Sequence, residues 1–368
     1  MLNELGRYAR AGRLLSIGIF LVPTLLIAPC TTAAEWSPAL QEVIAKATQE
    51  AELTLSTPGN LVGGSEGARA IDHGIKSMFG VDLKVTWGPS PSLAQMAAKL
   101  HQERQAGQPA STDLYVGGAA YIGPLVDADL FTKVTWLRLW PERIRPELVE
   151  ADGQALKYET FLPGILYNIS AAPWVKSTKT MEDLLKPKYK GLYATTPYLA
   201  GFDALLRADG WGKAKTTEYV RRMSENVSGY LPCSGTARIA SGEVPALVFD
   251  CTGSYQNLPQ YKGIIDSHIV SDAALKYYMY MTVPRNARHP NASILAALYL
   301  SSPEGQRDVA LGLDGIDLDL YQGSWSHNRV GELEKEGVKF QSITIDWWNR
   351  QSGIADDLNE LVKIVQRK

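Results

Sequence analysis

The chain has 368 residues, with 37 Lys and Arg against 39 Asp and Glu, and is 45% hydrophobic and 21% charged. A chain this apolar and this neutral buries a core, which excludes disorder, and three Cys are too few for a small disulfide scaffold. A formal charge of −2 leaves no footprint for nucleic acid, and one apolar run near the N-terminus excludes a polytopic membrane protein.

Residues 1–34 read as a secretory signal peptide. Arg7, Arg10 and Arg13 precede an apolar stretch from Leu14 to Ala28, and Thr31 to Ala34 supply small residues for cleavage. The apolar run is about 15 residues, short of the roughly 20 a membrane-spanning helix needs. Cys30 raises the option of a lipid anchor, which Pro29 argues against. Export places Cys233 and Cys251 in an oxidising compartment, where a disulfide is favoured over a catalytic thiol.

The remainder alternates strands and helices. Residues 37–51 show helical spacing with Pro38 at the start, and Glu52–Ser56 alternates as a strand. Residues 65–80 return to helix, with Gly80 as its C-cap, before a strand over Val81–Trp87. Ser92 caps a helix to 106, and Asp113–Gly117 is a third strand. This order predicts an α/β fold with parallel strands flanked by helices. Further on, 162–170 reads as extended, 191–195, 245–249 and 277–283 as strands, and 202–208, 216–224 and 236–241 as helices. Helices 291–302, 304–311 and 352–366 close the chain.

Loops at strand ends are rich in hydroxyls and glycine. In open α/β sheets a ligand binds outside the carboxyl ends of the strands, where helix N-termini present amides. Candidate contacts are therefore Ser56, Thr57, Ser90, Ser92, Gly118 and Tyr121 in the first half. Thr196, Tyr198, Phe202, Ser234, Gly235, Thr236, Asp250 and Thr252 are the candidates further along. Arg238 is a candidate charge partner for a carboxylate or phosphonate, and Trp87 is read as core rather than a stacking surface. For any single Ser or Thr here, helix capping is the ordinary role.

The chain resembles the extracellular solute-binding proteins of ABC-type importers, in the broad group that includes ferric-iron-binding periplasmic proteins. The resemblance rests on Phe79–Leu114, on Ser241–Phe249 (SGEVPALVF) and on His289–Gln306 (HPNASILAALYLSSPEGQ), the last being the most specific. It implies a type II two-lobe clamshell, with lobe one over 35–165 plus 285–368 and lobe two over 166–284. It also implies a periplasmic, non-enzymatic monomer that hands a small solute to inner-membrane permease subunits, without a cofactor. In iron-binding relatives two adjacent Tyr follow the "GEVPAAL" strand. Here Thr252 and Gly253 occupy those positions, and the five His show no ligand spacing, so no metal site is expected. An organic anion or oxyanion is favoured over free ferric iron.

Two rivals remain. Gly63-Gly64-Ser65-Glu66-Gly67 fits the G-x-S-x-G pattern of a serine hydrolase, but that motif needs a strand leading straight into the Ser, and Pro58 intervenes. The same clamshell can also feed a receptor as a sensing module, and no residue separates that reading from transport.

Overall fold

The computed structural model describes residues 36–59, 61–207 and 209–366. The signal-peptide reading lies outside them. Among the described residues no helix is long and apolar enough to cross a membrane.

Local chemistry sets the first elements. Ser37 caps α1 (Pro38–Glu50) by accepting from the Leu40 amide at 3.1 Å. Strand β1 (Glu52–Pro58) buries Leu53, Leu55 and Thr57 on one face. Helix α2 (Gly64–Phe79) lays Ala68, Ile71, Ile75 and Phe79 into the core and ends at Gly80, whose φ of 72° suits glycine. Gly74 lets α2 approach the helix Pro290–Leu300, because a Cβ there would lie 2.1 Å from the Tyr299 ring. That second helix is buried on nearly every side, as an apolar run without a polar face must be.

Strand β2 (Lys84–Ser90) begins and ends three residues later than the alternation predicts. Its register with β1 explains the shift: Leu55 stands opposite Trp87 and Pro58 opposite Ser90, so the Gly-Pro-Ser segment is paired strand rather than loop. Helix α3 (Leu93–Gln105) follows, and Leu114 bridges to Leu55 in parallel just before β3 (Tyr115–Gly118). Helix α4 (Ala119–Asp127), β4 (Val149–Glu150) and β5 (Ala155–Phe161) come next.

Two sheets are then joined by two crossings. Strands β6 (Ile165–Asn168), β7 (Ala194–Thr195), β8 (Ala246–Val248) and β9 (Ile265–His268) form one sheet in the order β7-β8-β6-β9. Strand β10 (Leu275–Thr282) pairs antiparallel with β3 and β5 and parallel with β11 (Gln341–Ile343). The chain therefore leaves the β5–β10 sheet at 162–164 and returns at 269–274. Leu162, Ile269 and Ala274 from the two crossings share one apolar cluster with Val330 and Leu333 of the helix Trp325–Lys335. The predicted strand over 191–195 shrinks to two residues. Two 3-10 turns, Pro173–Ser177 and Met181–Leu185, lie between β6 and β7.

Candidate ligand cleft

The first-sheet loops use much of their hydroxyl chemistry internally. Thr57 is buried, and its hydroxyl accepts from the Trp87 indole at 2.8 Å while donating to the Leu61 carbonyl at 2.9 Å. Thr57 is thus a packing residue, and Trp87 is held with it. Ser92 caps α3 by accepting from the Gln95 amide at 3.1 Å. Ser56 is half-buried and Ser90 buried. The buried Ser90 hydroxyl has no hydrogen-bond partner among the described residues. Gly118 opens α4, and Tyr121 in its first turn remains 38% exposed.

Several second-sheet candidates are structural. Phe202 is fully buried against Phe249 and Tyr219, with ring centroids 5.2 and 6.1 Å away, so it belongs to the core and not to a cleft wall. The Thr196 hydroxyl closes a turn by accepting from the Ala200 amide at 2.8 Å. The Gly235 amide donates to the Pro232 carbonyl and the Thr236 hydroxyl to the Cys233 carbonyl, so neither is free for an anion. Ser234 beside them is exposed. Arg238 is exposed and pairs with Glu243 at 2.6 Å, five residues on.

Asp250 is fully buried. It accepts from the amides of Gly164 at 3.0 Å and Gly253 at 2.6 Å, and burial pushes its pKa up to about 6. Thr252 accepts from the Ser254 amide through its hydroxyl, and from the Leu162 amide through its carbonyl. Both residues therefore fasten the first crossing rather than face a solute. Cys233 and Cys251 form a disulfide. The Tyr198 hydroxyl accepts from the Cys233 amide at 3.0 Å and lies 3.7 Å from the Cys251 sulfur, while the residue stays 44% exposed.

The structure adds residues that the sequence reading left out. Tyr277 in β10 donates to the buried carboxylate of Asp203 at 2.6 Å. The Tyr121 phenol is pushed up first by burial and then by Asp203 and Tyr198. Tyr255 is pushed up by burial and then by Asp250, Tyr198 and Asp314, and packs against the apolar cluster of Leu166, Leu247 and Ile265. Asp314 accepts from the amides of Val62 at 2.9 Å and Gly63 at 2.8 Å, holding Val62 at a φ of 60°. Burial raises Asp314 to about 6. Beside it, Glu159 is fully buried, and burial followed by Asp314 holds its pKa well above the carboxylate range. An acidic residue inside an apolar run, as in Leu-Ala-Gly-Phe-Asp-Ala-Leu-Leu, was the available signal for Asp203.

Tyr277 and Tyr278 meet different partners. Tyr277 reaches Asp203, whereas the Tyr278 ring lies under the Lys157 ammonium at 4.5 Å. Among the described residues no group of three or more His, Cys, Asp or Glu could hold a metal ion. A cavity of about 570 Å³ lies against the helix Trp325–Lys335, walled by Lys276, Asp319 and His327, and none of the candidate residues lines it.

Two sheets joined by two crossings define a two-lobe α/β fold. The family model described as bacterial extracellular solute-binding protein matches residues 75–316, and the chain belongs to that family. The fold is similar to iron-bound HitA from Pseudomonas aeruginosa, at TM-score 0.62 and 17% identity over 84% of this chain and 99% of that one. It is also similar to a putative spermidine/putrescine ABC transporter protein from Listeria monocytogenes, at TM-score 0.60 and 14% identity over 86% and 99%. A third similar structure is AgtB from A. tumefaciens R10 in complex with agropinic acid, at TM-score 0.60 and 18% identity over 86% and 99%. These likenesses define a type II periplasmic-binding-protein fold. No curated protein matches the chain in sequence.

Proposed function

We propose that this protein captures a small organic solute in the periplasm, in the cleft between Tyr121 and Tyr198, and delivers it to the permease of an ABC importer. Residues 1–34 are removed on export in this reading. The observation that carries it is the pair of crossings at 162–164 and 269–274, which share one apolar cluster with the helix Trp325–Lys335. Two sheets linked in this way can close on a ligand by hinge motion. The second lobe comprises β6 to β9 and ends before β10, because β10 pairs with β3 and β5.

Free ferric iron is not the favoured solute, since Thr252 and Gly253 supply no phenolate. The hydroxyl-rich loops suit an organic anion or oxyanion, and Arg238 pairs with Glu243 in the absence of a solute. The serine-hydrolase reading is weakened by the setting of Ser65. It lies in the first turn of α2 behind the 3-10 turn Leu61–Gly63, not at the end of a strand.

A thermal-shift screen of the mature protein against amines, carboxylates, phosphonates and ferric chelates tests the reading. A bound solute raises the midpoint in proportion to the logarithm of its concentration over Kd. Absence of any shift across the screen, or esterase turnover abolished by Ser65→Ala, overturns it.

A further inference from the structure

We propose that the cavity against the helix Trp325–Lys335 is a second binding site, which takes a small organic carboxylate beside the ammonium of Lys276. None of the cleft candidates lines this cavity, so the proposal stands apart from the reading of the cleft.

The helix lines the cavity with His327, Val330, Gly331 and Glu334, at the three- and four-residue spacing of one helical face, and with Lys335 at its end. Lys276 of β10 and Asp319 complete the wall. At about 570 Å³ the cavity falls within the roughly 300–1,000 Å³ that small-molecule sites occupy. Gly331 is the unusual member. A glycine inside a helix costs stability relative to alanine, and close approach of a neighbour is one reason to keep it. Gly67, Gly74 and Gly123 are of that kind, since a Cβ on them would lie 1.8, 2.1 and 2.1 Å from another atom. A Cβ on Gly331 would meet nothing within 4 Å, and its backbone is not left-handed. Neither packing nor backbone geometry asks for glycine there. Its missing side chain instead leaves room in the cavity.

The charges select the ligand. Lys276 and Asp319 form an ion pair at 2.7 Å, with side chains 13% and 5% exposed. Both oxygens of Asp319 are engaged, one by Lys276 and the other by the Thr160 hydroxyl at 2.8 Å. An ammonium has three N–H donors, and Asp319 takes one of those on Lys276. Among the described residues the other two have no acceptor, and the Tyr278 ring centroid is 5.9 Å away. Donors held largely out of water without an acceptor are costly, and a carboxylate in the cavity relieves that cost with a charge-assisted hydrogen bond. Lys335 at the end of the helix pairs with no acid among the described residues and adds a second positive charge. Glu334 is the opposing charge, and it is exposed, so solvent and salt screen it. Val330 offers an apolar contact for the carbon chain of the acid. The His327 ring is held by its Nδ1–H, which donates to the Asp319 carbonyl at 2.9 Å.

Solution NMR of the mature protein tests this through the His327 ring, whose Cε1–H signal is assigned with His327→Gln. Butanoate and succinate are titrated at constant pH, against 1,4-butanediol, 1,4-diaminobutane and inorganic phosphate. The expected result is a saturable shift of the His327 signal with a carboxylate at millimolar concentration, and none with the three controls. Gly331→Leu fills the cavity and should weaken binding roughly tenfold or more. Lys335→Ala, at an exposed position, should weaken it several-fold, and Glu334→Gln should keep or slightly tighten it. Gly331→Ala should raise the thermal midpoint of the ligand-free protein, since the added methyl meets no neighbour. Tyr121→Ala should leave carboxylate binding unchanged, which separates this site from the cleft. The proposal is overturned if neither carboxylate moves the His327 signal, if phosphate or the diamine binds in their place, or if Gly331→Leu keeps full affinity. A lower midpoint in Gly331→Ala would give the glycine a structural role, and loss of the shift in Tyr121→Ala would move the carboxylate to the cleft. Either result overturns the second site as well.

Discussion

Asp250 and Gly164 hold each other at both ends. The Gly164 amide donates to the Asp250 carboxylate at 3.0 Å, and the Asp250 amide donates to the Gly164 carbonyl at 3.0 Å. The pair locks the loop after β8 to the point where the chain leaves the β5–β10 sheet. Gly164 has no room for a side chain, because a Cβ would lie 2.7 Å from the His268 carbonyl oxygen.

Replacement of Asp250 by Asn should therefore be costly. One oxygen accepts from Gly164 and the other from Gly253 at 2.6 Å, and an amide group would turn a donor toward one of those donors. The expected loss is about 2–3 kcal/mol, measured by urea unfolding. The pH dependence carries a definite sign. Burial lifts Asp250 to about 6 in the folded protein, above the roughly 3.9 of an unfolded chain. Between those values the folded state binds more protons than the unfolded one, so stability falls as pH rises from about 4 to 6 and then levels off. The wild-type decline from this group is about 3 kcal/mol, and Asp250→Asn should flatten it. Asp314, also raised to about 6, contributes a decline of the same sign that remains in the variant.

The Cys233–Cys251 bridge is expected to matter to the cleft as well as to stability. Its sequence separation of 18 corresponds to about 3 kcal/mol in the chain-entropy model. Reduction should lower the thermal midpoint and also weaken solute binding, because Tyr198 is anchored on the Cys233 amide. Melting and calorimetry with and without reductant, with Cys233→Ser as a second probe, check both effects. A lower midpoint with unchanged affinity would separate the bridge from the cleft.

Much of the scaffold was legible because its signals are local. Ser37 with Pro38, Gly80 and Ser92 mark helix ends by chemistry within a few residues, and each stands where its pattern places it. Strand β5 was missed because Lys157 and Glu159 interrupt its apolar run. Both are buried, Lys157 by pairing with Glu150 at 2.8 Å, and neither pairing nor burial is visible from one strand alone. The cleft was read only in part for the same reason. Hydroxyls at strand ends look available in sequence, yet Thr57, Thr196 and Thr252 satisfy local amides, an indole or carbonyls. Asp203 shows in sequence only as an acid inside an apolar run, and its partner Tyr277 lies 74 residues later.

Arg238 gives a discriminating comparison. Its guanidinium is exposed and tied to Glu243, so Arg238→Ala should leave both solute affinity and thermal midpoint unchanged. A large loss of affinity would instead place the guanidinium against the solute.

The hinge can be tested at Leu333. Its side chain is buried in the cluster that holds Leu162 of the first crossing and Ile269 and Ala274 of the second. Truncation to Ala should cost about 2–4 kcal/mol, as for other buried leucines whose surroundings relax only partly. A purely structural residue would do no more than that. Because both crossings share this cluster, its loss should also change how readily the lobes close. Small-angle scattering with and without a saturating solute measures that change as the difference in radius of gyration. In wild type the solute should reduce the radius, and in Leu333→Ala the reduction should differ in size at temperatures where both proteins are folded. An equal reduction in the two proteins would confine Leu333 to stability and move the hinge to the backbone of 162–164 and 269–274.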